Sequence, residues 1–175
     1  MDLLDFEQTE LYFDEPLVSE AAQLVEMAAV NYGNDEAELM LLRANLVAPQ
    51  HLQVLVALYR YYFYQHRLDD ALLVAESALA VTAKRLDFPA AWSFLREANI
   101  VAGVIRSMGL VRFYLLALKA TAYIHLRLGN FVTGVTMLEK LVELDAHDRI
   151  GAAALLAIAQ DYQAEHFELK GAAHG

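Results

Sequence analysis

Residues 55–79 read Leu-Val-Ala-Leu-Tyr-Arg-Tyr-Tyr-Phe-Tyr-Gln-His-Arg-Leu-Asp-Asp-Ala-Leu-Leu-Val-Ala-Glu-Ser-Ala-Leu. Leu55, Leu58, Tyr59 and Tyr62 fall at helical spacing, and beyond a polar turn at 66–69 a second helical stripe runs through Leu68, Ala71, Ala75, Ala78 and Leu79. The pattern also stands earlier in the chain at one constant offset: Ala37, Ala44 and Val47 match Ala71, Ala78 and Val81, while Leu24 and Val30 match Leu58 and Tyr64. A two-helix unit repeated at a period of about 34 residues stacks into a solenoid, because one hairpin cannot bury its apolar face alone. Ala37, Ala44, Leu58, Ala71 and Ala78 form the predicted packing set, in which small side chains let neighbouring helices approach closely.

The chain has 175 residues, 58% of them hydrophobic, with only 8 Gly and 3 Pro. Few turn formers and an apolar set rich in Leu and Ala favour long helices, so the expected class is all-α in a single domain. The predicted helices cover about 19–32, 36–47, 51–65, 70–83, 90–107, 110–128, 132–144 and 148–167. Pro89 opens the fifth, and Gly109 separates it from the sixth. A third copy of the pattern reads Leu118, Thr121, Ala122, Gly129-Asn130-Phe131, Gly134, Leu138, Leu141, Leu144 and Asp145, and it follows the second at almost twice the first interval. The excess falls at 86–114 and provides one added helix, 89–107, and not a pair.

At these residues the chain resembles the tetratricopeptide repeat family. The resemblance implies an α-α superhelix of about seven to eight antiparallel helices, irregular after the second repeat, with first helices lining a concave groove. It departs from the family where the usual Trp and Gly of the first helix are Ala21 and Val25, Leu55 and Tyr59, or Leu118 and Ala122. On the family's pattern Arg60, Phe63, Tyr64, Lys119, Tyr123 and Arg127 face the groove, and Gly134 joins the packing set. Three bases among three aromatics suit an acidic, aromatic peptide, held by charge-assisted bonds and stacking. The groove Asn of members that capture a chaperone's C-terminal carboxylate is missing.

Charge divides the chain. Residues 1–50 hold 11 acids against Arg43, whereas residues 51–127 hold nine bases and five acids. A net charge of −10 with no concentrated basic face argues against nucleic acid as a partner. Residues 1–16 mix six acids with Leu3, Leu4, Phe6, Leu11, Tyr12 and Phe13, and are read as an acidic aromatic arm suited to the chain's own groove or a neighbour's. The helical domain then spans 17–168, and 169–175 is expected to be a flexible tail. The most apolar stretch, Gly109–Leu128, contains Arg112, Lys119 and Arg127, so no membrane span is expected. An acidic start and the lack of Cys predict a cytoplasmic protein.

No catalytic motif emerges. None of the six His has a carboxylate three residues before it, and neither a His-Glu-x-x-His motif, a phosphate-binding loop nor a Gly-x-Ser-x-Gly elbow occurs. Glu139 and Glu143 share a helix face, and the bland reading is a solvated face beside Lys140. The expectation is therefore no metal, no cofactor and no enzyme activity. The function expected is a protein-interaction module, adaptor or assembly factor. The alternative is a secretion-type chaperone holding an apolar client segment, with an all-α enzyme third. An incomplete array also predicts an exposed apolar face that a homodimer would cover. Ala71→Leu is expected to cost about 1–3 kcal/mol by overpacking, whereas Glu143→Ala does little. Urea denaturation checks the pair, and equal tolerance would overturn the repeat register.

Overall fold

The structure, a computed structural model, describes residues 15–172. The first fourteen residues of the predicted arm and the last three of the predicted tail lie outside the described residues. Among the described residues seven helices follow one another: α1 (Ser19–Val30), α2 (Asp35–Val47), α3 (Leu52–Tyr64), α4 (Leu68–Leu86), α5 (Glu97–Arg127), α6 (Phe131–Leu144) and α7 (Ala152–Ala172). Strands are absent among the described residues. Each helix packs mainly on its sequence neighbours, and α1 also touches α3. The chain is therefore all-α, and the last helix extends to Ala172, through residues expected in the tail.

Two of the hairpin turns match in the backbone. Helix α3 ends at Tyr64 and α5 at Arg127, while α4 begins at Leu68 and α6 at Phe131, so both boundaries of the turn shift by the same interval. Between them His66 and Gly129 occupy the same place and share the left-handed conformation, φ 58° and 81°. In both turns the following N–H reaches back to the carbonyl five residues earlier, Arg67 to Tyr62 (2.9 Å) and Asn130 to His125 (2.8 Å). This is the Schellman closure, which satisfies carbonyls that a helix end leaves open. His66 adopts the conformation with a side chain, where Gly129 does so without steric cost.

The small residues of these helices are buried. Ala37, Ala44 and Ala71 are fully buried, Leu58 and Ala78 nearly so. Gly134, the counterpart of Ala71, lies tighter still: a Cβ there would come within 2.8 Å of the Leu126 side chain and 3.0 Å of the Ala122 carbonyl oxygen. The α5–α6 hairpin thus closes to a distance that excludes even a methyl group. Thr82 and Thr121, both buried, return their hydroxyls to the carbonyls of Ala78 and Ala117 at 2.7 and 2.8 Å, so neither brings an unpaired polar group into the core.

The insertion is resolved differently from expectation. Pro89 does not open a helix: residues 87–96 run as a connection containing a short 3-10 turn at Trp92–Phe94, and helix begins only at Glu97. The break expected at Gly109 lies at Ser107, whose backbone is extended (φ −161°, ψ 105°). Its hydroxyl accepts the Leu110 N–H at 3.2 Å, the N-cap bond of a helix that starts again at Met108. The added residues therefore form no separate antiparallel layer. They extend the first helix of the third hairpin backwards across one capped joint at Ser107. Phe88 secures the extension, placing its ring where Gly103 has no side chain and meeting Tyr114 edge-on at 5.3 Å.

Gly134→Ala is expected to lower stability by about 1–3 kcal/mol despite the roughly 1 kcal/mol of helix propensity that alanine adds. Gly33→Ala, where a Cβ meets nothing within 4 Å, is expected to be neutral or stabilising by up to about 1 kcal/mol. Equal urea midpoints for the two variants would contradict the close approach of α5 and α6.

Candidate functional site

The sequence-predicted groove residues fall in three places. Phe63 and Tyr123, from α3 and α5, face each other at 6.2 Å between ring centroids, and Phe63 also stacks on Tyr59 (5.8 Å) and meets Tyr64 edge-on (5.7 Å). Arg127 lies over the Tyr123 ring at 5.8 Å and donates to its hydroxyl at 3.1 Å. Phe63, Tyr64, Tyr123 and Arg127 form one aromatic layer between hairpins. Arg60 stands beside Tyr32, whose hydroxyl donates to the Arg60 carbonyl at 3.4 Å. Lys119 is directed elsewhere, its Nζ donating to the Ile150 carbonyl at 2.6 Å in a partly buried bond. The Lys119 charge is thus tied to the α6–α7 connection, because the i, i+4 spacing with Tyr123 fixes a helix face but not the tertiary neighbour.

A second polar knot joins the first two hairpins. Arg67 pairs with Glu38 of α2 at 2.7 Å and with Asp70 of α4 at 2.8 Å, and its guanidinium lies 4.6 Å above the Tyr62 ring. Tyr62 donates to the other Glu38 oxygen at 3.2 Å. Burial, then the Glu38 carboxylate, pushes the Tyr62 phenol up to about 12. Burial alone pushes Tyr114 up to about 12, and burial with Tyr64 and Tyr123 nearby raises Tyr59 further. The Tyr59 hydroxyl is buried without a hydrogen-bond partner. These tyrosines are core groups held neutral by desolvation. Glu143 is exposed and paired with Lys140 at 2.6 Å, as the solvated-face reading expects. No metal-holding group of three His, Asp or Glu occurs among the described residues.

The open surface lies on the half of α5 that precedes and spans the Ser107 joint. A cavity of about 500 Å³ is floored by Ile100, Val104, Met108, Val111 and Leu115, with Leu144 and Ile150 across from them. Ile100 and Val104 share a face before the Ser107 joint, and Met108, Val111 and Leu115 share one after it. Beside it Val101, Val104, Ile105 and Met108 are 56%, 42%, 83% and 64% exposed, a continuous apolar stripe that no other described helix covers. Helix α5 is long and apolar enough to cross a membrane by length and composition, with a mean hydropathy of 1.6 in its best window, one third of which is buried. Residues 111–124 are largely buried, packed between α4 and α6.

The facing wall is the 145–151 corner, and its shape is over-determined. Asp145 accepts the Ile150 N–H at 2.7 Å, Asp148 accepts those of Ala152 and Ala153 at 2.7 and 3.1 Å, and Lys119 holds the Ile150 carbonyl. Asp148 and Gly151 take the left-handed conformation this tight corner requires. Asp148 also stands at the start of α7, where the helix dipole offsets its charge. Arg112, His147 and Arg149 lie exposed on the rim, with Glu97 at the far end. Sequence reading did not single out this surface, although the 101, 104, 105, 108 spacing was there to find. The same spacing describes a buried face equally well.

The chain is 48% identical over 165 residues to a protein of Azotobacter chroococcum mcd 1 described as "Uncharacterized 19.8 kDa protein in nifW 5'region", a match covering 94% of this chain and 92% of that protein. The chain belongs to the same family as that protein. No protein-family model and no solved structure matches it.

The raised tyrosines give an alkaline limit to stability. An unfolded tyrosine releases its proton near pH 10, whereas Tyr62 and Tyr114 hold theirs to about pH 12. Between those values the folded state binds more protons than the unfolded one, so stability is intact below pH 10 and falls as pH rises. Each such tyrosine contributes a slope of up to about 1.4 kcal/mol per pH unit. Urea denaturation from pH 9 to 11.5 should show this fall, and Tyr62→Phe should remove one tyrosine's share of the slope. An unchanged slope would contradict the burial of that phenol.

Proposed function

We propose that this chain is a non-enzymatic protein-interaction module of the tetratricopeptide type. Its groove, between the overhanging half of α5 and the α6–α7 corner, holds a partner segment carrying both apolar and acidic side chains. The carrying observation is the cavity of about 500 Å³, with an apolar floor and a rim of Arg112, His147 and Arg149. Its size is in the range of sites that take a ligand or a few side chains of a peptide. Val101, Val104 and Ile105 before the Ser107 joint and Met108 after it give an exposed apolar surface on which the apolar side of a partner segment could lie. The superhelical reading draws support from hairpin boundaries that recur at one interval and from the small residues at Ala37, Ala71 and Gly134.

This reading moves the partner site away from Phe63, Tyr64, Tyr123 and Arg127, whose rings and charges engage one another. It keeps the chemistry proposed for the partner, with Arg112 and Arg149 as the cations that would meet its acids, beside Glu97 and Asp145 on the same lining. A chaperone reading draws on the same surface through Val101 and Ile105, the most exposed side of the stripe, which would hold an apolar client segment. The relative is named for its position in the nifW 5' region, which makes the nifW product the first full-length protein to offer the groove.

Fluorescence anisotropy with three synthetic peptides, each as long as the 1–14 segment, tests the proposal. All have the same Leu and Phe positions, separated by Asp and Glu, by Lys, or by Ser. The acidic peptide should bind tightest, and Met108→Asp should weaken it about tenfold or more, as loss of a central apolar contact does. Met108 is exposed and opens a helical turn, where an acid is tolerated, so circular dichroism and melting should be unchanged. Equal binding of the acidic and Ser peptides would favour the chaperone reading. Failure of all three, or an unaltered affinity in Met108→Asp, would remove the groove from the account.

A further inference from the structure

We infer that the exposed stripe of α5 pairs with the same stripe of a second copy of this chain, in an antiparallel two-fold contact centred between Val104 and Ile105. The inference concerns the free chain and goes beyond the groove reading, since it holds or fails whether or not a partner segment binds.

The first observation is a symmetry within the stripe. A two-fold contact sets residue i of one copy on residue j of the other and j on i, so a surface that pairs with itself must be complementary under that exchange. The stripe meets this condition about the point between Val104 and Ile105. Val101 and Met108 stand at equal steps to either side of that point, and so do Glu97 and Arg112. Antiparallel pairing there lays Val104 on Ile105, Val101 on Met108 and Glu97 on Arg112, each contact occurring twice. Apolar side chains meet apolar ones, and each carboxylate meets a guanidinium.

The second observation is that both halves look the same way. Ser107 breaks the helix between Ile105 and Met108, so spacing alone does not put the two halves on one side. The cavity does: Glu97, Ile100 and Val104 from before the joint line the same space as Met108 and Arg112 from after it. Glu97 and Arg112 each lie about 11 Å along the chain from the centre, and the length of the arginine side chain takes up the change of axis. Its guanidinium carries several N–H donors, so a contact within its own chain leaves others for the carboxylate of the second copy.

The third observation is balance of charge. The lining sets Glu97 and Asp145 against Arg112 and Arg149. A rim of one sign repels its own copy, whereas a mixed rim can complement it. The first hairpin also exposes apolar side chains, Val30 and Leu46, but there Glu20, Glu26, Glu36 and Glu38 stand against Arg43 alone, so charge disfavours self-pairing of that face.

One helix face from each copy makes an interface of the small class, below about 1,200 Å², typical of weak and reversible complexes. The dilute chain is therefore monomeric and the concentrated chain dimeric. Sedimentation velocity of the full chain from about 1 to about 300 µM should show that shift. Ile105→Lys should weaken the dimer about tenfold or more. Ile105 is 83% exposed, so the circular dichroism of the variant should match that of the unaltered chain. Leu46→Lys, equally exposed on the first hairpin, should leave the dimer intact. Glu97→Arg and Arg112→Glu should each weaken it about threefold or more, because like charges then face each other across the two-fold axis. The two changes together should return it to within about twofold of the unaltered chain.

A monomer at every concentration would overturn the inference. So would a dimer that Ile105→Lys leaves intact or Leu46→Lys removes, or a double variant no better than the single ones. A chain that dimerises in this way but binds none of the three peptides ends the groove reading and keeps the pairing. A chain that binds the acidic peptide and stays monomeric throughout does the reverse.

Discussion

Helix α5 has 31 residues and α6, which packs against it, has 14. At about 1.5 Å per residue the shorter helix covers less than half of the longer one, and every other feature of the surface follows from that mismatch. A helix in a stacked array is stable because neighbours bury its apolar stripe; one that outlasts its neighbour keeps the stripe and loses the cover. The second half of α5 is enclosed by α4 and α6, so Val111, Phe113, Leu118 and Ile124 lie in the core. The first half is held by the 87–96 connection, through Phe88 at Gly103 and the Asp87–Arg106 pair. What the array leaves open is therefore determined by the length of α6 and by the corner that ends it.

Ser107 sets how the overhang is carried. A continuous helix would transmit the direction of the 108–127 segment into 97–106, whereas an extended residue with its own N-cap bond lets the two segments take independent axes. The connection 87–96 can then bring buried Leu95 and the 3-10 turn against α6 while α4 still meets the overhang. Opposite, the 145–151 corner is fixed by two carboxylates on backbone N–H groups and one lysine on a carbonyl. Such bonds leave few alternatives to the observed path, so a groove wall formed by a loop here has the rigidity usual for a helix.

The sequence made the close-packed part of this architecture legible and left the open part ambiguous. Ala71 and Gly134 could be recognised because close approach restricts residue type: only the smallest side chains satisfy it, and the restriction repeats with the hairpin. The turn at Gly129 was legible for a similar reason. His66 was not, since a left-handed His carries no compositional mark. Pro89 misled because proline suits the first turn of a helix and an extended connection alike. Lys119 misled because helical periodicity assigns a face without saying which loop comes to meet it. The stripe at 101–108 has the spacing of a core face, and exposure is a property of the missing neighbour, which leaves no trace in the helix itself.

An insertion between the second and third hairpins could have ended this array. A free-standing extra helix would reverse the direction of all that follows and require a new packing face on α6. Extending α5 backwards keeps the up-down alternation, which is why His66 and Gly129 still close equivalent turns. The consequence is that the added residues bring their own apolar face but no hairpin partner to bury it. The overhang is thus the consequence of keeping the alternation, and not a defect in the stack.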